Sequence, residues 1–67
     1  MTNKKVTEGQ HYKEKVFSIG VKGDPMIKVN GLCVFFKSDI VQVDDMVIVK
    51  VTKKLDKVGF GELVEVC

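Results

Sequence analysis

The 67-residue chain contains no arginine and no tryptophan, and proline and histidine occur once each, as Pro25 and His11. Without arginine, all eleven basic residues are lysines, set against nine carboxylates for a formal charge of +2. A lysine ammonium grips phosphate as a point charge and lacks the planar fork that reads base edges. Any nucleic-acid contact is therefore expected at the phosphate backbone. Two cysteines, Cys33 and Cys67, lie far apart and form no Cys-x-x-Cys. With one histidine they fall short of the four ligands of a structural zinc site, and two reduced thiols of a cytosolic protein are the simpler reading. No apolar run approaches the ~20 residues of a membrane helix, and the first residues do not read as a signal peptide. A cytoplasmic protein with no cofactor and no membrane partner is the expectation.

Catalytic patterns are also missing. Asp44 and Asp45 are adjacent, so on extended chain they point to opposite sides and cannot face each other as an acid–base pair. No serine or cysteine has an evident base. His11 sits at the end of a polar stretch and reads as a solvated tail residue. The segment Val21-Lys22-Gly23-Asp24-Pro25 has glycine and lysine but lacks the Gly-x-x-x-x-Gly-Lys-Ser/Thr spacing that cradles phosphate. A chain this short buries only about 60% of its unfolded surface, which leaves little depth for an active site. The sequence therefore predicts a protein that is not an enzyme.

What is present is globular composition, 45% hydrophobic and 30% charged, in one domain. Residues 1–11 are polar except for Val6 and read as an N-terminal tail, partly pinned by Val6, before a barrel over 12–67. From Tyr12 onward, β-branched and aromatic residues come in short runs broken by turn signals, which predicts strands over about 12–20, 25–29, 32–37, 46–53 and 58–66. Five short antiparallel strands with glycine corners suit a small all-β, OB-like barrel, because closure removes exposed edges. Residues 37–45 form a connection.

Asn30-Gly31 favours a two-residue type I′ hairpin, which fixes the register. Val29 then opposes Leu32, Ile27 opposes Val34 and Pro25 opposes Phe36 on a core face. Lys28 opposes Cys33 and Met26 opposes Phe35 on the outer face. In the second hairpin an odd-length loop sets Val51 against Gly59, Val49 against Gly61 and Val47 against Leu63 in the core, with Lys50 directly across from Phe60 outside. A bulge near Ser18 lets Val16 and Ile19 both reach the core and leaves Phe17 on the lysine face. An exposed ring stacks bases with a gain of about 1–3 kcal/mol each, while a lysine groove follows the phosphates. Phe35 and Phe60, with Phe17, fit the ring role; Lys28, Lys37, Lys50, Lys53, Lys54 and Lys57 fit the groove. The rival reading is a protein-interaction barrel that docks on a ribosome factor or RNA-modifying enzyme through Met26, Phe35 and Ile48.

These segments resemble a TRAM domain, the small OB-like barrel often appended to RNA-modifying methyltransferases and methylthiotransferases. SIGVKGDPMIKVNGLCVFF is similar to the family's Leu-Gly-x-Lys/Arg-Gly-Asp-Gly-Ile-Ala-x-Val-x-Gly-Phe-Val-Val-Phe-Val. VDDMVIVKVTK is similar to its Gly-Asp-x-Val-x-Val-x-Ile-Thr strand, and VGFGELVEV to its Ala-Phe-Ala-Glu-Val-Val ending. The resemblance runs from about Val6 to Val66. It implies binding of structured RNA such as tRNA or ribosomal RNA, and stand-alone copies resemble small archaeal proteins proposed as cold-shock-like RNA chaperones; a monomer whose partner is such RNA or single-stranded RNA is the expectation. By position it points to Phe35, to Phe60, and to Lys22 as the basic residue before Gly-Asp. The chain departs from the pattern at Pro25, which replaces a glycine, and at Lys37-Ser38, which replaces Pro-Gly.

Overall fold

The computed structural model describes residues 6–67, so the part of the expected tail at residues 1–5 lies outside the described residues. Five strands form: β1 (His11–Ile19), β2 (Pro25–Val29), β3 (Leu32–Phe36), β4 (Met46–Lys54) and β5 (Val58–Val66). They close into a barrel in the order β1-β2-β3-β5-β4, an OB-like arrangement. The described residues contain no helix. Four of the five junctions are antiparallel, but β3 and β5 run parallel where they meet. The all-antiparallel barrel expected from the hairpins is corrected at this junction. β4 lies between β1 and β5, so β5 reaches β3 from its other side and in the opposite sense to a hairpin partner.

The Asn30-Gly31 turn forms with both residues at positive φ, 52° and 89°, as a type I′ turn requires. The register it sets is the predicted one: Val29 opposes Leu32, Ile27 opposes Val34, Lys28 opposes Cys33 and Met26 opposes Phe35. Ile27, Val29, Leu32, Val34 and Phe36 are buried with Val16, Val41, Val47, Val49 and Val51. Pro25 is also buried.

The β4–β5 register differs from expectation. Val51 meets Gly61 rather than Gly59, Val49 meets Leu63 rather than Gly61, and Lys50 meets Glu62 rather than Phe60. Phe60 instead lies across from Lys53, and Lys54 across from Gly59. The loop is therefore even, and one extra residue, Thr52, is inserted between Val51 and Lys53 on β4. An even loop alone would turn the valines of β4 outward; the bulge restores their inward facing. Val64 is the matching extra residue on β5, between the pairs Ile48–Glu65 and Val49–Leu63.

Gly61 is fixed by its neighbours. A Cβ there would lie 2.6 Å from the Lys50 carbonyl oxygen and 2.7 Å from Val49 Cγ1, closer than packed atoms tolerate. The expected role of the β5 glycines, close approach between strands, holds at this position.

β1 carries a bulge as well, with Phe17 as the extra residue between the pairs Val16–Ile27 and Ser18–Met26. Val16 is fully buried and Phe17 is turned out. Ile19 does not reach the core: it is 39% exposed. It pairs with the buried Pro25 at the last position of β1.

Residues 6–11 are not a free tail. Val6 is buried in the core, Gly9 N–H donates to the Val51 carbonyl, and the Glu8 carboxylate accepts the Lys54 N–H at 2.8 Å. His11 is the first residue of β1 and lies opposite Lys50. Val6 pins the segment as expected, and the hydrogen bonds of Glu8 and Gly9 add anchors that a run of polar residues does not signal. The 37–45 connection plugs one end of the barrel with Val41, then turns at Val43-Asp44. There Asp44 takes a φ of 78° and the Asp45 carboxylate accepts the Gln42 N–H.

Candidate nucleic-acid interface

The outer face of β2, β3 and β5 is built by strand alternation. Ile27, Val29, Val34 and Phe36 turn inward, so Met26, Lys28, Cys33 and Phe35 turn outward. The parallel β3–β5 register then sets Phe35 beside Phe60 and Cys33 beside Val58. One transverse row across the barrel reads Ser18, Met26, Phe35, Phe60, Lys53. The Phe35 and Phe60 rings are 6.1 Å apart between centroids and tilted by 34°, within the range of favourable aromatic pairs. Phe60 is 43% exposed and Phe35 is half-buried. Together they form an apolar ledge on which Phe60 is the more exposed ring.

The third ring stands apart from these two. Phe17 is 44% exposed and the Lys28 ammonium lies 5.7 Å from its centroid, a cation–π arrangement. The β1 bulge creates this contact by lifting Phe17 out of the regular alternation. Lys28 thus stands between the two aromatic sites.

Charge is distributed unevenly along this face. Lys28 neighbours Cys33, which neighbours Val58 in turn, and the β4–β5 hairpin brings Lys53, Lys54 and Lys57 to the same end, all exposed. At the opposite end an open groove of about 800 Å³ runs along the rings of Phe35 and Phe60. Among the described residues, three carboxylates, Asp24, Asp39 and Glu62, line it, with Lys37 as the one cation. The two rings therefore sit at the boundary between a lysine-rich end and an acidic groove.

The expected site residues fall into three groups. Phe35, Phe60, Phe17, Lys28, Lys53, Lys54 and Lys57 share the face or its rim. Lys37 lines the acidic groove, and Lys22 is exposed in the β1–β2 loop beside the fully exposed Val21. That loop is closed by Gly20 and Gly23 N–H groups that donate to the Asp24 and Gly20 carbonyls. Lys50 does not belong to the face. It lies between His11 on β1 and Glu62 on β5, because the Thr52 bulge and the longer loop slide Phe60 away from it.

Met26, Phe35 and Ile48 do not form one apolar patch. Ile48 lies between Lys13 and Glu65 on β4, a strand that borders neither β2 nor β3. Sequence reasoning missed Ile40, 71% exposed beside the groove, and Leu55, 43% exposed at the β4–β5 turn. Apolar residues inside polar loops carry no periodicity that would have singled them out. Both cysteines are free thiols, and among the described residues no cluster of three metal-ligating side chains forms.

The fold and face together define a small closed barrel with an aromatic ledge flanked by lysines. No protein-family model and no curated protein matches the chain. A solved structure does: the solution structure of a conserved protein of Methanococcus maripaludis is 30% identical with a TM-score of 0.73. The likeness covers 90% of this chain and 83% of that one, and the two share the same five-stranded β-barrel fold.

Proposed function

We propose that the protein is a non-catalytic, monomeric, cytoplasmic RNA-binding barrel that acts as an ATP-independent RNA chaperone. The carrying observation is the Phe35–Phe60 ledge, 6.1 Å between rings, on the same outer face as Lys28 and beside Lys53. Unpaired bases stack on the exposed ring of Phe60 and over Phe17, and lysines hold the phosphates. Aromatic ledges in lysine-lined grooves bind single strands with little sequence preference. The strand 2–3 face and the loops that frame it are also where OB-like barrels take oligonucleotides. The resemblance to TRAM domains supports the same reading and extends it to tRNA and ribosomal RNA.

The acidic groove gives the bound strand a direction. Asp24, Asp39 and Glu62 repel phosphate, so the backbone runs at the Lys28 and Lys53–Lys57 end and only bases lean toward the groove. Bases with exocyclic amino groups find acceptors there, as carboxylates accept from cytosine N4. Contacts made by stacking and point charges are released readily. A protein of this kind melts weak misfolded pairings and lets go without a nucleotide cycle.

The test is a titration of labelled single-stranded and tRNA-like RNA at several salt concentrations. Binding that weakens with salt, and weakens further in Phe60→Ala, supports the proposal. No binding at low salt, or unchanged affinity in a folded Phe60→Ala variant, overturns it.

A further inference from the structure

Lys50, displaced from the aromatic face by the β4–β5 register, belongs to a second cationic surface. In the barrel order, β1 and β4 are the two strands that do not border β3. The half of this wall from His11 to Lys15 and Met46 to Lys50 is separated from Phe35 by β2 on one side and β5 on the other. Along β1, His11, Lys13 and Lys15 are exposed, while Tyr12, Glu14 and Val16 alternate to the other side. Their β4 neighbours are Lys50, Ile48 and Met46 respectively, with Lys50 exposed and the other two half-buried.

This wall is a column of cations beside an apolar strip. Residues two apart on a strand are separated by about 6.6 Å and adjacent strands by about 4.8 Å. Lys13 and Lys15 thus follow each other at a spacing close to the phosphate repeat of an extended nucleic-acid strand. Ile48 and Met46 lie one strand over, where the bases of such a strand would rest. Glu62 and Glu65 neighbour Lys50 and Ile48 from β5, and they confine an anionic chain to the β1 side of the wall.

We infer that this β1–β4 wall is a second RNA-binding surface, so that one protein molecule holds two RNA strands on separate walls of the barrel. The inference rests on the RNA-binding reading above and adds to it. A protein with two such faces raises the local concentration of one strand near another, and so promotes annealing as well as melting. Phe17, the next exposed residue of β1 after Lys15, borders the column at one end only, so most of this face binds through charge and is the more salt-sensitive of the two.

The experiment mixes donor-labelled and acceptor-labelled short polyuridine strands, which cannot pair with each other, with the protein at low salt. Energy transfer between the labels reports two strands on one protein, and anisotropy with a single labelled strand reports the aromatic face. The expected result is transfer with the native protein and its loss in Lys13→Glu/Lys15→Glu, while a single-strand binding that remains sensitive to Phe60→Ala persists. Lys13→Gln/Lys15→Gln should give an intermediate loss, which separates charge from any folding defect. Transfer that persists in the double glutamate variant, including transfer carried by a dimer seen in sedimentation, overturns the inference. So does a native protein that binds one strand but gives no transfer. Failure of the RNA-binding reading itself looks different, because no strand then raises the anisotropy.

Discussion

Phe35 and Phe60 stand side by side across the only parallel junction of the barrel, their ring centroids 6.1 Å apart. Phe35 is wedged between Met26 and Phe60 in the transverse row, and Phe60 leaves 43% of its surface to solvent. The two rings should therefore respond differently to truncation. Phe60→Ala is expected to weaken single-stranded RNA binding by about 5- to 150-fold with little change in the urea midpoint. Phe35→Ala should lower both affinity and midpoint. Equal stability losses in the two variants would contradict this division of roles.

Salt dependence distinguishes the lysines. For single strands, log K falls with log salt at a slope of about −0.7 for each phosphate neutralised. Lys28→Ala should flatten the slope by about 0.7 and weaken binding evenly across sequences. Lys37→Ala, at a cation surrounded by Asp24, Asp39 and Glu62, should leave the slope nearly unchanged. Titrations of each variant at several salt concentrations measure both slopes.

Gly31 and Gly61 resist substitution for opposite reasons, and one pair of variants shows it. Gly31 has a φ of 89° and open space where a Cβ would go. Its replacement by L-alanine is expected to cost about 1–2 kcal/mol through the left-handed backbone alone. D-alanine, which favours that backbone, should recover most of the loss. At Gly61 φ is unremarkable but a Cβ would meet Lys50 O at 2.6 Å. L-alanine there should cost about 1–3 kcal/mol through forced strand separation. Chemical denaturation of the synthetic variants checks the order and the rescue.

Asp44 is held at a φ of 78°, next to a backbone bridge in which its N–H donates to the Val16 carbonyl. A β-branched residue is poorly tolerated in that region. Asp44→Val should therefore destabilise the fold by about 1–3 kcal/mol, and Asp44→Asn or Asp44→Gly much less. Thermal melts of the three variants test the ranking.

The N-terminal segment acts as a clasp. Val6 fills the core and Glu8 holds the Lys54 N–H at the start of the β4–β5 turn. Val6→Ala should lower stability by about 1–3 kcal/mol. Glu8→Ala should free the turn that carries Lys54 and Lys57, raising amide exchange at residues 54–57. Unchanged exchange there would show that the turn holds itself.

Much of this was written in local sequence. Asn30-Gly31 determined the β2–β3 register by itself, because a two-residue turn leaves no freedom in which side chains oppose. With it came Ile27, Val29, Val34 and Phe36 inside and Met26, Lys28 and Phe35 outside. The all-β class and the span of β2 and β5 followed from alternation broken by turn residues. The tertiary structure decided what a period of two cannot encode: how many residues each strand contributes between turns. The bulges at Phe17, Thr52 and Val64 arise where a barrel wall must bend to close, and closure depends on all five strands at once. They moved Lys50 to another wall and set Phe60 beside Lys53. Parallel contact between β3 and β5 placed Phe60 beside Phe35, although they lie in separate hairpins whose sequences carry no mark of each other.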